Sequence, residues 1–104
     1  ELLLARGLAL ECARHRLRVN VVNPDALLRG SRIWQGEWAE QRASQHRTTV
    51  KELEAVYRER SLLKRSVFPE DVAEAVTFFA SERSGKSTGN IINVDAGNAV
   101  AFTR

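Results

Sequence analysis

The sequence has little of what marks a secreted, membrane-spanning or metal-binding protein. Its one cysteine, Cys12, cannot form an internal disulfide and lies among alanine and leucine as a small apolar residue. A membrane-spanning helix needs about 18 consecutive apolar residues, and no stretch of this sequence comes near that length. Leu2–Leu4 is too short for a signal-peptide core. No histidine, cysteine or carboxylate grouping has metal-ligand spacing. We therefore expect a soluble, cytoplasmic protein with no metal site and no membrane partner.

The charge of the chain is basic but interleaved. A net charge of +3 would suit an anionic partner such as a nucleic acid. Basic residues alternate with acidic ones, however, as in Arg58–Arg60, and no aromatic-flanked basic stripe is present. We expect no nucleic-acid binding; the hypothesis of a nucleic-acid binder would require binding that weakens steeply with salt.

Hydrophobic periodicity predicts an alternation of helices and strands. The predicted elements, in chain order, are a helix at 1–14, a strand at 18–23, a helix at 49–60, a helix at 69–82 and a strand at 90–95. This alternation is typical of an α/β protein with a doubly wound parallel sheet. The 104 residues make one domain at most, and two strands are too few for a stable sheet. We therefore expect further strands from an amino-terminal part or a partner chain.

Local signals set the helix ends and faces. Small residues form one stripe of the first helix, suited to close contact with a sheet: Ala5, Ala9, Cys12 and Ala13. Thr49–Glu52 fits a capping box for a helix that turns Leu53, Val56 and Tyr57 to one side. Pro69 suits a first helical position, and the apolar face of that helix comprises Val72, Ala75, Val76, Phe79 and Ala80. Leu62–Leu63 is predicted to pack on the core.

The first strand stops abruptly at Pro24, and a long segment at 25–48 follows it. Loops that leave the carboxyl ends of parallel strands form the ligand crevice of such sheets, so a cofactor would be met at this turn. The segment holds Trp34 and Trp38 without sustained periodicity. It is predicted to be a lid or binding loop, or else to contain a short helix.

Three stretches in the right order resemble the carboxyl-terminal part of the short-chain dehydrogenase/reductase family. They are Leu8–Glu11 with Arg18–Pro24, then Pro69–Val76 with Phe79–Ser81, then Thr88–Gly97. The resemblance implies that residues 1–104 are one segment of a Rossmann-like domain whose cofactor-binding and catalytic part lies upstream. It also implies an NAD- or NADP-dependent oxidoreductase that acts on a small-molecule substrate and assembles as a homo-oligomer, a dimer or tetramer, through the first helix and last strand.

A narrower resemblance is to the dehydrogenase domain of bifunctional rhamnulose-1-phosphate aldolase/short-chain dehydrogenase proteins. It is carried by Asn23–Ala26 in place of a Pro-Gly turn, by Gly30–Ser31 with Ile33–Trp34, and by the ending Val94–Asn98 with Ala101–Phe102. It implies oxidation of lactaldehyde, or a related small product, in rhamnose catabolism.

The family resemblance implies a role for the turn and the lid. The turn would contact the nicotinamide end of the cofactor through Pro24, Asp25, Ala26 and Leu27, largely by backbone groups. Asp25 departs from the family's glycine, and it either bonds its own backbone or contacts the cofactor. The substrate lid would comprise Arg29, Arg32, Trp34 and Trp38. Arg29 would meet a phosphate or a substrate oxygen, or else stay solvated, and the tryptophans close a pocket or cover the core.

No catalytic residue is predicted within the chain. The family's catalytic serine and Tyr-x-x-x-Lys pair lie upstream, and Tyr57 lacks a lysine four residues on, so packing explains it better. His15 suits a helix end and His46 suits solvent. By itself the chain is expected to be inert. The competing hypothesis is a non-catalytic structural or interaction module of the same ancestry.

Overall fold

The computed structural model describes residues 2–32 and 35–101. Its helices and strands, in chain order, are α1 (Leu2–Cys12), β1 (Val21–Pro24), α2 (Glu37–Gln45), α3 (Leu53–Arg60), α4 (Pro69–Ala80) and β2 (Ile91–Val94). Short 3₁₀ segments lie at Ala13–His15, Val50–Glu52, Glu82–Ser84 and Ala99–Ala101.

The two strands pair in parallel. Val21 lies opposite Ile91 and Pro24 opposite Val94, with α2, α3 and α4 on the crossover between them. A parallel pair requires such a long connection, and α4 packs against both strands. The predicted α/β class with parallel strands is therefore confirmed.

Strand β1 is shorter than predicted at its start, because 18–20 bonds to a turn and not to a ladder. The Val19 backbone N–H donates to Thr88 Oγ1 at 3.1 Å, and the Asn20 side chain bonds to Ser87 O at 3.0 Å and to the Asn90 N–H at 3.1 Å. Pro24 closes the strand without an N–H of its own.

Helix α3 begins differently from the prediction. Thr49 makes no side-chain cap, and residues Val50–Glu52 form a 3₁₀ turn before the α-helix starts at Leu53. The hydroxyl of the preceding residue, Thr48, donates a hydrogen bond to Glu52 Oε2 at 3.2 Å instead. The capping-box prediction is therefore wrong, although Leu53 and Tyr57 are buried on the predicted face.

Helix α4 has the expected start. Pro69 is its first residue, and the Phe68 backbone N–H donates to Asp71 Oδ2 at 2.8 Å, which satisfies a donor just before the helix. The helix ends at Ala80, two residues earlier than predicted. Val76 is half exposed, so the predicted apolar face is only partly covered.

Four of the five buried apolar residues of the described chain lie on α2 and α3, and the fifth is Ala9 of α1. Ala39 and Ala43 of α2 and Leu53 and Tyr57 of α3 are buried, whereas the strand residues are only half-buried. Leu62 and Leu63 are 63% and 67% exposed, which corrects the prediction that they pack on the core. Their backbone explains why, because both N–H groups are pinned at 2.9 Å to Gly97 O and Ala96 O, which fixes the segment at the surface.

The chain exposes more surface than a compact monomer of its size. Its accessible surface is 7975 Å², whereas a folded monomer of 11.7 kDa would expose roughly 5,900 Å². Its radius of gyration is 16.3 Å, against about 13 Å for a compact domain of this length. The described residues therefore leave surfaces that neighbouring elements would cover.

Candidate functional site

The candidate site lies where the two strands end together. The Asp25 backbone N–H donates to Val94 O at 3.0 Å, which ties the loop after β1 to the end of β2. The loop after β2 is held in turn, since the Gly97 N–H donates to Asp95 Oδ1 at 2.8 Å. Both loops thus start from the carboxyl edge of the sheet, where ligands bind in open α/β folds.

An arginine from α3 fixes the side chain of the turn. Arg60 Nη2 lies 2.7 Å from Asp25 Oδ1, and the Arg60 guanidinium carbon lies 4.0 Å from the centroid of the Tyr57 ring. Asp25 does not have a positive φ, so this turn does not need the glycine that the family places there. The carboxylate bonds to Arg60, and no hydrogen bond to its own backbone is found among the described residues.

The turn and one lid residue share a cleft. A cleft of about 510 Å³ has walls that include Pro24, Asp25, Ala26 and Leu27 together with Trp38 of α2. The cleft is shallow and largely open to solvent, and its volume falls in the range of small-molecule sites. The structure thus brings together all four residues of the predicted turn and one of the two predicted tryptophans; we call this space the turn cleft.

Two backbone donors of the turn are unused among the described residues. Within residues 2–32 and 35–101 the backbone N–H groups of Ala26 and Leu27 have no hydrogen-bond partner. Because both residues are half-buried, these donors need either water or a ligand. A planar carboxamide, which carries a carbonyl acceptor, fits this arrangement, so the residues present are compatible with a nicotinamide group.

Helix α2 carries the tryptophan wall of the turn cleft. The structure has a helix inside 25–48, which was the second of the two alternatives for this segment. Ala39 and Ala43 anchor the helix on its buried side, while Trp38 is 44% exposed and lies under the Arg42 guanidinium at 4.8 Å. Trp38 therefore lines a ligand-sized space and does not cover the core.

The other predicted lid residues lie elsewhere. Arg29 forms an ion pair with Glu54 at 3.0 Å, and its guanidinium lies 5.3 Å from the centre of the Phe68 ring. The hydrogen bond from Arg29 lowers the pKa of Glu54, against an opposing effect of burial. Arg32 is exposed and lines none of the clefts described, and Trp34 lies outside the described residues.

A second cleft of about 580 Å³ is lined by the Arg29–Glu54 pair. Its walls include that pair, Phe68 and the loop after β2 from Asp95 to Gly97. From the sequence, no site is predicted at this last loop. The signal that would have found it is weak, because the contact depends on backbone bonds between Leu62–Leu63 and Ala96–Gly97.

The remaining candidates of the sequence do not form a site. His15 is exposed and accepts a hydrogen bond from Arg14 at 3.1 Å. His46, predicted to be solvated, is exposed but sets its ring edge-on to Tyr57, with centroids 5.3 Å apart. Among residues 2–32 and 35–101 no group of histidine, cysteine and carboxylate side chains is placed to hold a metal. In the same residues, no helix is long and apolar enough to cross a membrane.

Known proteins are similar to this chain in sequence and in fold. The family model described as enoyl-(acyl carrier protein) reductase matches residues 2–99. The uncharacterized oxidoreductase YuxG of Bacillus subtilis is 48% identical over 97% of the chain, and carbonyl reductase [NADPH] 2 of Sus scrofa is 30% identical over 91%. The chain spans 15% of the length of the first relative and 34% of the second.

Solved structures of short-chain dehydrogenases also resemble this chain in fold. The sorbitol-6-phosphate 2-dehydrogenase SrlD of Erwinia amylovora superposes with a TM-score of 0.83 at 31% identity, over 94% of this chain and 38% of that one. A short chain dehydrogenase family protein of Francisella tularensis superposes with a TM-score of 0.79 at 25% identity, over 95% and 40%. On its sequence and its fold, the chain belongs to the short-chain dehydrogenase/reductase family.

Proposed function

We propose that this chain is the carboxyl-terminal segment of an NAD(P)-dependent oxidoreductase, and that it supplies the nicotinamide-side turn and part of the substrate lid. The observation that carries the proposal is the turn cleft, in which Pro24–Leu27 and Trp38 meet at the carboxyl edge of a parallel sheet. Family membership and the NADPH in the name of a relative support the cofactor class.

The turn would bind and orient the nicotinamide through its backbone. The N–H groups of Ala26 and Leu27 would hold the carboxamide of a nicotinamide, and that group supplies the hydride acceptor or donor when bound. The Arg60–Asp25 ion pair keeps the turn in one geometry, because it ties the loop to α3 at 2.7 Å. Pre-ordered donors of this kind spend no binding energy on reorganisation.

Helix α2 supplies the lid wall. Trp38 offers a large apolar face at the mouth of the turn cleft, and exclusion of water there would strengthen polar contacts inside. Arg32 and Trp34 stay predictions for the same lid. Arg29 would support the lid indirectly, because its ion pair with Glu54 joins the segment after the turn to α3.

For the substrate, we propose a small alcohol or aldehyde or a sugar-derived carbonyl compound, with lactaldehyde of rhamnose catabolism as the first candidate. The narrower resemblance of Asn23–Ala26 and Val94–Asn98 supports this choice. The relative YuxG is 48% identical, and the coverage values make it more than twice as long as the carbonyl reductase. That extra length is compatible with a second domain such as an aldolase.

We also propose that the protein assembles as a homo-oligomer through α1 and β2. Leu3 and Leu10 of α1 are 81% and 82% exposed, and β2 is paired on one side only in the described sheet. The chain exposes more surface than a compact monomer of its mass. This excess supports contacts with other parts of the same protein or with a second copy of it.

The proposal is tested in the full-length enzyme that contains this chain. We expect reduction of NAD⁺ or NADP⁺ with lactaldehyde. Leu27→Pro removes the backbone donor, and loss of one neutral hydrogen bond should raise the KM for the cofactor up to about tenfold. Leu27→Ala, the matched control, keeps the N–H and should change this KM less.

The non-catalytic module is the competing candidate, and the same experiment decides it. A module would show no turnover in the full-length protein and no Tyr-x-x-x-Lys in the sequence encoded upstream of Glu1. Equal cofactor KM values for the Leu27→Pro and Leu27→Ala variants, with unchanged circular dichroism, would contradict the role of the turn.

A further inference from the structure

The turn cleft carries an unneutralised positive charge beside the proposed nicotinamide position. Its walls contain Arg42, Arg60 and one carboxylate, Asp25. The carboxylate is already paired with Arg60 at 2.7 Å. The second arginine is therefore the source of the excess charge.

Arg42 is held in place without being neutralised. Its guanidinium carbon lies 4.8 Å from the centroid of the Trp38 ring, and Nη1 donates to Gln45 Oε1 at 3.3 Å. Within residues 2–32 and 35–101 no carboxylate oxygen lies within 4 Å of this guanidinium. A guanidinium has five N–H donors, so most of them are left for a ligand.

Fixation by an aromatic ring prepares an arginine for binding. Stacking on Trp38 restricts the side-chain rotamers before a ligand arrives, which lowers the entropic cost of each hydrogen bond formed later. The planar fork of the group matches the two oxygens of a carboxylate or the oxygens of a phosphate. Arg60, stacked on Tyr57 at 4.0 Å, already shows this arrangement with Asp25.

From this geometry we propose that Arg42 binds an oxyanion of the substrate, a carboxylate or a phosphate carried by the small carbonyl or alcohol compound that is converted at the turn. The inference rests on the proposed function and narrows its substrate class. Lactaldehyde carries no such group, so an anionic relative of it should be converted better.

The test compares matched pairs of substrates in the full-length enzyme. Glyoxylate against glycolaldehyde isolates a carboxylate, and glyceraldehyde 3-phosphate against glyceraldehyde isolates a phosphate. For at least one pair, kcat/KM with NADH or NADPH should favour the anion, and Arg42→Gln should reduce that preference by about tenfold or more. Arg47→Gln removes an exposed charge close by, outside the turn cleft, and should leave the preference unchanged.

Two results would overturn the inference. One is an anion preference that is absent from the wild type or equal in the wild type and Arg42→Gln. The other is a rise in the KM for NADP⁺ alone in Arg42→Gln, which would assign the residue to a cofactor phosphate.

Binding separates this inference from the proposed function. Calorimetric titration with inorganic phosphate and with acetate should show binding to the wild type and to Arg47→Gln that is lost in Arg42→Gln. Absence of all turnover would refute the proposed function, and this titration would still decide the role of Arg42. Equal heats in the three proteins would refute it.

Discussion

Helices α2 and α3 bury four of their apolar residues within the chain, whereas α1 buries only Ala9 and the two strands bury none. Leu53 of α3 is 1% exposed, while Leu10 of α1 is 82% exposed and the strands are half-buried. Composition does not explain the difference, because α1 and the two strands carry 13 apolar residues in 19, whereas α2 and α3 carry only 7 in 17. What differs is the presence of a covering element: α3 has α2 and the loops beside it, and the outer face of α1 has none among the described residues.

Truncation of one leucine in each region tests whether the two regions differ in burial in the full-length protein. In the full-length protein, Leu53→Ala should cost about 2–5 kcal/mol, because it empties a closed site. Hydrogen exchange should show lower protection of the α2 and α3 amides.

The matched change is Leu10→Ala. Because Leu10 is exposed in the single chain and α1 is proposed to form the subunit contact, this change should leave the fold intact but shift the full-length protein to smaller species on size exclusion. A change within about 0.5 kcal/mol with an unchanged oligomeric state would show that the outer face of α1 is free in solution and would contradict the proposed contact.

Two glycines, one in the loop after β2 and one in α1, provide a second test of how closely each region is packed. Gly97 has a φ of +85°, and a Cβ there would lie 2.8 Å from Leu62 Cβ. Gly97→Ala should therefore destabilise the protein by about 1–3 kcal/mol, measured as a lower melting temperature.

Gly7, in α1, is the control for this effect. A Cβ at Gly7 would meet nothing within 4 Å, so Gly7→Ala should stabilise the helix by about 0.5–1 kcal/mol. An equal response of both positions would contradict the close approach of the loop after β2 to Leu62.

The last comparison concerns the pH dependence of the Arg29–Glu54 pair. Because the hydrogen bond from Arg29 lowers the pKa of Glu54 from its ordinary 4.5, the pair stabilises the fold above that pH, and the stabilisation is lost as the pH falls through the lowered pKa. At pH 7, Glu54→Gln should cost no more than about 1 kcal/mol, since Arg29 is largely exposed. The difference in melting temperature between wild type and variant should shrink below pH 4.5; a constant difference would exclude the ion pair as its cause.

Prediction from sequence succeeded where a signal was local and repeated. Pro69 at the start of α4 and the apolar runs of β1 and β2 are such signals, because helix geometry and strand burial act over a few residues. It failed at Thr49, where a neighbouring threonine serves Glu52, and at Leu62–Leu63, whose backbone is held at the surface by a distant loop.

The candidate site divides in the same way. Pro24–Leu27 followed from the strand end and the family resemblance, and Trp38 from its position in the segment after it. The partners of these residues did not follow, because Asp25 and Arg60 are 35 residues apart and nothing in the local pattern links them.

The sequence by itself determined the family and the order of α1, β1, α3, α4 and β2, because these follow from local patterns of residues, and it predicts a ligand at the turn after β1. Only the tertiary structure decided that Arg60 neutralises Asp25, that Arg29 turns to Glu54, and that Trp38 and Arg42 face the turn. Side chains far apart in sequence meet only after the crossover has brought β1 and β2 together, and the charge of the cleft depends on which of them pair.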